Sequence, residues 1–341
     1  MPQINRQWLL ARRPHGMVRE DDFEFRETPL PAPDFGAGEI LVRNLMFSFE
    51  PAMRGWMDDV PSYLPPVAIG APMRASSVAQ VVQSENPQYP VGALVMGLLG
   101  WEEYSVANRA GAFPPVPLPA GTPPKIPLGC LGGSSITAYF GLLDVGQPKA
   151  GETVVVSGAA GAVGSVVAQI AKIKECRVIG IAGGSEKCRW LRDECGVDEV
   201  IDYRTENIEQ RLGELCPQGI DVFFDNVGGA TLEAVIEHIA DHGRIVLCGA
   251  ISTYNDEERQ PGPRNLMNLI TRRVRMEGFI SIDFLDRMGE AQAALMEWVF
   301  GGRIKHREDI QEGFDNIPKT FLRLFSGENR GKQLLKVSDP V

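Results

Sequence analysis

Thr153-Val-Val-Val-Ser-Gly-Ala-Ala-Gly-Ala-Val-Gly-Ser165 is the stretch on which the fold turns. A β-branched run stops at Gly158, glycines recur at 161 and 164, and a helix-compatible segment, Ser165–Lys174, follows. The run reads as a buried parallel strand. Glycines at the turn let the backbone approach a pyrophosphate, whose charge the helix amino terminus favours. The spacing is G-x-x-G-x-x-G instead of the strict G-x-G-x-x-G, so a merely tight strand-to-helix turn is the alternative. The 19 residues Thr153–Ala171 carry no charge, near the length of a membrane span. Three glycines and a β-branched start argue instead for a strand running into a helix.

Outward from this turn, the chain after about Ile126 alternates apolar strands with amphipathic helices. Strands are expected at Arg177–Ala182, Glu199–Tyr203, Asp221–Asp225 and Arg244–Cys248, with Val274–Ser281 as the last. Helices are expected at Glu186–Cys195 and Ala230–Ala240, where Leu232, Val235, Ile236 and Ile239 form one stripe. This grammar predicts an α/β, doubly wound parallel sheet covered on both faces. The first 120 residues read differently. Ile40–Phe49, Ser77–Gln83 and Ala93–Leu98 are strand-like and separated by Pro- and Gly-rich breaks, which predicts a mainly β domain. Phe113-Pro-Pro-Val-Pro-Leu-Pro119 is its exit, and the tail from Phe314 offers a helix, a turn and a strand (Gln333–Val337) that pack back on it. The expected domains are 1–125 with 310–341, and 126–309.

Composition narrows the function. With 34 basic and 44 acidic side chains the net charge is -10, the wrong balance for displacing counterions from nucleic acid. The six cysteines form no C-x-x-C pair and Met1–Pro14 lacks an apolar signal core, so free thiols in a reducing cytoplasm are expected.

The strand after the glycine turn separates the dinucleotides. NAD sites usually place an acid after it, to accept from the adenosine ribose hydroxyls. Here Arg177-Val-Ile-Gly-Ile-Ala-Gly-Gly-Ser185 ends in glycines, with Lys187 nearby as a cation for a 2′-phosphate, which points to NADPH. An exposed first-turn lysine is the plainer alternative. Zinc is not expected. The four histidines are 15, 238, 242 and 306, and the first domain holds one histidine and no cysteine. His238 and His242 stand i, i+4 on the expected helix without the Glu of H-E-x-x-H, and read as capping a solvated face.

The chain resembles the medium-chain dehydrogenase/reductase superfamily, and within it the zinc-free NADPH-dependent double-bond reductases (prostaglandin, 2-alkenal and curcumin reductases). The resemblance covers nearly the whole chain. It is carried by Ile136-Thr-Ala-Tyr-Phe-Gly-Leu142, Gly158–Ser165, Phe224-Asp-Asn-Val-Gly-Gly229 and Cys248-Gly-Ala-Ile-Ser-Thr-Tyr-Asn255. It implies a Rossmann domain plus a GroES-like, mainly β domain. It implies that Gly161, Ala162, Val163 and Gly164 hold the pyrophosphate, that Lys187 and Tyr203 hold the 2′-phosphate, and that Gly184 and Ser185 belong to the cofactor site. Asn226, Cys248, Gly249, Ala250, Ile251 and Tyr254 would line the path to the nicotinamide. Phe279 and Ile280 would present backbone groups to it, and Asn329 would reach the cofactor from the tail. A core tyrosine at 203 and a turn asparagine at 329 are the alternatives.

One departure stands out. The family commonly reads Asp-Pro-Tyr-Met-Arg where this chain reads Glu50-Pro-Ala-Met-Arg54, so Ala52 removes a phenol from the expected substrate site. Ala52, Arg54 and Tyr63 are the expected pocket residues. The implied reaction delivers a hydride from NADPH to the β-carbon of an α,β-unsaturated ketone or aldehyde. The negative charge on the carbonyl oxygen then needs donors, each typically worth about 10²–10³ in rate. The nicotinamide ribose hydroxyl, Tyr254 and Tyr63 are the candidates. The rivals are a quinone reductase on the same scaffold and a non-catalytic NADPH-binding protein. A homodimer through the edge strand at Val274–Ser281 is expected. The loop Ser252–Arg264, with Pro261-Gly-Pro263, is long enough to act as a lid.

Overall fold

The structure, a computed structural model, describes residues 4–108, 113–258 and 260–341. The chain separates into two compact units, one running to Gly129 and resuming at Glu308–Val341, the other Cys130–Arg307.

The first unit is mainly β. β1 (Ile4–Leu10) pairs antiparallel with β2 (Phe23–Pro29). β3 (Glu39–Ser48), β4 (Arg74–Gln83) and β5 (Leu94–Gly100) form an antiparallel sheet, because Ile40, Leu41, Val42, Leu45, Met46 and Phe47 give β3 apolar side chains for both of its faces. β6 (Tyr104–Asn108) returns beside β3, β7 (Val116–Pro117) pairs with β5, and the short α1 (Lys125–Leu128) closes the segment.

The second unit opens with α2 (Gly133–Phe140) and then alternates strictly. β8 (Thr153–Ser157), α3 (Gly164–Ile173), β9 (Arg177–Ala182), α4 (Ser185–Asp193), β10 (Glu199–Asp202) and α5 (Ile208–Leu215) come first. β11 (Ile220–Asp225), α6 (Gly229–Glu237), β12 (Ile239–Leu247), α7 (Met267–Thr271), β13 (Arg275–Gly278) and α8 (Met288–Phe300) follow. The six strands are parallel, in the order β10-β9-β8-β11-β12-β13. The chain therefore reverses direction across the sheet between β8 and β11. In an open α/β sheet that switch point opens a crevice at the strands' carboxyl ends, where ligands bind. Val154, Val155, Val156, Phe223 and Phe224 are wholly buried in the central strands, as two covered faces require.

The tail contributes β14 (Glu308–Glu312), α9 (Ile317–Ser326) and β15 (Lys332–Lys336) to the first unit. β15 lies parallel to β14 and antiparallel to β3. Phe321 of α9 meets Trp101 at 5.6 Å between ring centroids and Phe23 at 6.3 Å, so the chain's two ends share one core. The expected two-part fold, Rossmann plus GroES-like, is the one observed.

One local expectation fails. The stripe over Ala230–Ala240 is not one helix: α6 stops at Glu237 and Ile239 already belongs to β12. His242 takes a left-handed backbone (φ 60°) in an irregular stretch where β12 slips register against β11. His238 and His242 therefore share no helical face.

Candidate cofactor site and the loop around Ala52

The crease at the β8/β11 switch point is built from three strand exits. At the first, Gly158 adopts φ 58°, and the Gly161 N–H donates to its carbonyl at 2.9 Å. A Cβ on Gly164 would stand 2.4 Å from the Gly158 oxygen and 2.8 Å from the Ala159 Cα. The turn is therefore closed to side chains by backbone on its inner side. Gly161, Ala162 and Val163 are half-buried on it, and α3 starts at Gly164. This is the tight, glycine-dependent turn that a pyrophosphate site needs, and the residues fit that group.

The second and third exits are tied to the first through Asp225. Its carboxylate, wholly buried at the end of β11, accepts from Ser157 Oγ at 2.7 Å, Val227 N at 2.9 Å and Gly228 N at 3.0 Å. Burial raises its pKa, opposed by these hydrogen bonds. Asn226 donates its backbone N–H to Ser157 Oγ at 2.8 Å and its side-chain amide to the Ser157 carbonyl at 2.7 Å. Beyond β12, Cys248 N and Gly249 N donate to the Asp225 carbonyl at 2.9 and 3.1 Å, and Ile251 N to that of Asn226 at 3.3 Å. The Tyr254 hydroxyl folds back and accepts the Ala250 N–H at 3.1 Å. Asn226, Cys248–Ile251 and Tyr254 are thus brought together with Gly161–Gly164. Asp225 and Ser157 were missed from the sequence, although an acid ending an apolar strand must find hydrogen-bond partners.

Phe279, just past β13, packs its ring inward. A Cβ on Gly141 would stand 2.3 Å from it, and Phe224 meets it edge-on at 6.3 Å, which leaves the half-buried 279–280 backbone in place after the strand. After β9, Gly184 adopts φ 94° and Ser185 is exposed at the start of α4, with Lys187 half-buried two residues on. Tyr203 is 52% exposed, so it is no core tyrosine. Of the Ser252–Arg264 loop, Arg259 lies outside the described residues; Ser252 Oγ donates to the Val227 carbonyl at 2.6 Å.

Ala52, Arg54, Tyr63 and Asn329 belong to the first unit. Ala52 is half-buried in the helical turn Pro51–Met57, while Met53, Trp56 and Met57 on the same turn are buried in the unit's core. The Trp56 indole N–H donates to Tyr63 Oη at 3.0 Å, and Arg74 stacks 5.6 Å above the indole. Tyr63 is 41% exposed, yet the part that is covered raises its phenol pKa. Arg54 is buried: it pairs with Asp58 at 2.6 Å and donates to the Pro14 carbonyl at 3.4 Å. Those contacts tie the Pro51–Met57 turn to the loop at Pro14. The Asn329 amide donates to the Gly331 carbonyl at 2.9 Å, closing its own turn.

Residues 6–114 match the family model described as the N-terminal domain of oxidoreductase, and 162–299 the one described as zinc-binding dehydrogenase. A putative NADP-dependent oxidoreductase of Bacillus subtilis, YfmJ, is 47% identical over 100% of both chains. The NADPH-dependent curcumin reductase of Escherichia coli is 41% identical over 98% of both. The chain belongs to the medium-chain dehydrogenase/reductase family. The crystal structure of CurA from Vibrio vulnificus in complex with NADPH has a TM-score of 0.92 at 40% identity, covering 98% of this chain and 100% of that one. The name of the second family model mentions zinc, for which the mainly β unit offers few nitrogen or sulfur donors. Residues 1–129 and 308–341 contain His15 and no cysteine.

Proposed function

We propose that this medium-chain dehydrogenase/reductase is an NADPH-dependent enzyme that reduces the C=C bond of α,β-unsaturated ketones and aldehydes without a metal. The observation that carries the dinucleotide part is the glycine turn after β8, closed to any Cβ at Gly164. The end-to-end likeness to a curcumin reductase supports the double-bond part. NADPH supplies the hydride, which goes to the β-carbon.

The chain's own task is to hold the reactants and meet the charge that builds on the carbonyl oxygen. Tyr63 Oη accepts from Trp56, which fixes the oxygen and leaves its hydrogen to be donated outward. Its raised pKa keeps it a neutral donor beyond the ordinary value near 10. Tyr254 Oη is held against Ala250 in the crease and is the second donor. Solubility in the cytoplasm and a homodimer through β13, one of the sheet's two edge strands, complete the reading. Light scattering that gave a 37.3 kDa species at micromolar concentration would refute the dimer.

The deciding assay follows NADPH oxidation with an enone and with a quinone, before and after prolonged EDTA treatment. Enone turnover unaffected by EDTA supports the proposal. Quinone turnover alone, tight NADPH binding without turnover, or a loss of rate restored by zinc would each overturn it. If Tyr63 donates the proton, the alkaline limb of kcat lies above pH 10 and is lost in Tyr63→Phe, since a donor must stay protonated to work.

A further inference from the structure

The glycines that end β9 are covered by the residues that end β10. Tyr203 lies so close over Gly183 that a Cβ there would stand 2.6 Å from its Cζ and Oη. The next side chain reaches the next glycine: Arg204 Nη1 lies 3.7 Å from where a Gly184 Cβ would be. Asp202 fixes this arrangement, since its Oδ1 accepts the Gly184 N–H at 2.8 Å and the Arg204 N–H at 3.1 Å. The Asp202 carboxylate is thereby a strut between the two loops. Arg204 itself is exposed, and among the described residues its guanidinium has no carboxylate partner.

In a doubly wound sheet the adenosine ribose sits beside the end of the second strand, here β9. A carboxylate there selects a free 2′-hydroxyl, and an arginine nearby accommodates a 2′-phosphate. We propose that Arg204, reaching over Gly184 beside Tyr203, is the cation that grips the 2′-phosphate and sets the preference for NADP over NAD. The inference rests on the dinucleotide reading above and adds a residue to it. Lys187 stands on the third residue of α4 as a point charge on a flexible stem. Arg204 instead offers a planar fork that can meet two phosphate oxygens at once, and its loop is already fixed by Asp202.

The test is calorimetric and needs no turnover. Wild type, Arg204→Ala and Arg204→Lys are titrated with NADP⁺, NAD⁺, adenosine 2′,5′-bisphosphate and AMP, and each variant's melting curve without ligand confirms its fold. Arg204→Ala is expected to weaken NADP⁺ and the 2′,5′-bisphosphate about tenfold or more, while leaving NAD⁺ and AMP within twofold. Arg204→Lys should fall between, because it keeps the charge and loses the fork. An unchanged NADP⁺/NAD⁺ ratio in Arg204→Ala overturns the role of Arg204 while the NADPH reading stands. Equal losses for NADP⁺ and NAD⁺ mark a structural residue and overturn it too. A wild type that binds NADP⁺ no better than NAD⁺ overturns the NADPH reading itself.

Discussion

The nucleotide crease and the loop around Ala52 are built on opposite principles. In the crease, backbone does the shaping: Gly158 and Gly184 have positive φ, Gly164 touches carbonyl and Cα, and Asp225 ties three strand exits together. Around Ala52, side chains do it: Trp56 and Met57 are buried beneath, and Tyr63 is hung from an indole N–H. A backbone-built site tolerates almost no change in shape, whereas a side-chain-built one can be retuned residue by residue. That contrast fits a shared cofactor and variable substrates, and it can be broken experimentally.

The largest effect should come from Gly164→Ala. The added Cβ would meet backbone at 2.4 Å, where no rotamer change gives relief, and overpacking of this kind costs about 1–3 kcal/mol or more. Nucleotide binding should be lost, with melting lowered by several degrees. Gly55→Ala, in the Pro51–Met57 turn, meets nothing within 4 Å and should stay within about 0.5 kcal/mol of wild type. If the two variants melt alike, the contrast between the regions is wrong.

The next test sets buried Asp225 against half-buried Glu102. Glu102 accepts from Gln7 Nε2 at 2.6 Å, Ser105 Oγ at 2.8 Å and Asn5 Nδ2 at 3.3 Å, and burial raises its pKa as it does that of Asp225. Asp225→Asn and Glu102→Gln each turn an acceptor into a donor facing a donor, at about 1–3 kcal/mol. Both should lower the melting temperature. Only Asp225→Asn should weaken NADP⁺ in a titration; an equal loss in Glu102→Gln would show that the binding defect follows stability and not the crease.

Lys187→Ala is expected to do less, raising the NADPH KM by up to about tenfold and leaving NADH use unchanged. Equal losses with both cofactors would remove Lys187 from the 2′-phosphate site.

The sequence disclosed the two regions unequally, for the same physical reason. The crease was legible because its backbone demands leave a local mark: glycines at fixed offsets after a β-branched run. What escaped was what depends on distant partners. The Asp225–Ser157 link spans 68 positions, and Glu102 staples residues 95 and 97 positions away. β1 and β2 were not foreseen, since β2 is largely exposed and its apolar alternation is limited to Phe23 and Phe25. The helix expected through Ala240 failed because the apolar stripe runs past the helix end at Glu237, and Ile239 serves β12 instead. Arg204 carried no signal either, because its meaning lies in reaching Gly184, 20 positions back in the chain.

The smallest expected effect tests whether the Ala52 region can be retuned at all. A tyrosine there adds a ring and a hydroxyl where this chain has a methyl group. For that to matter to a substrate, the neighbours must not already fill the space, and Trp56 and Met57 are the large side chains on the same turn. Both are committed elsewhere: Met57 is wholly buried, and Trp56 is held in the core by its hydrogen bond to Tyr63 and by Arg74 over its ring. Ala52 is left half-buried, with one side uncovered by its own turn. Ala52→Tyr should therefore lower kcat/KM selectively for a bulky, aryl-substituted enone, by about 10-fold, the low end for a change of wall shape in an apolar pocket. A small enal should be unchanged or improved, and the melting temperature should hardly move, because a half-buried position can direct a new ring outward. Equal losses on both enones would mean that position 52 does not face the substrate, and a large fall in melting temperature would mean that this loop is as intolerant as the glycine turn.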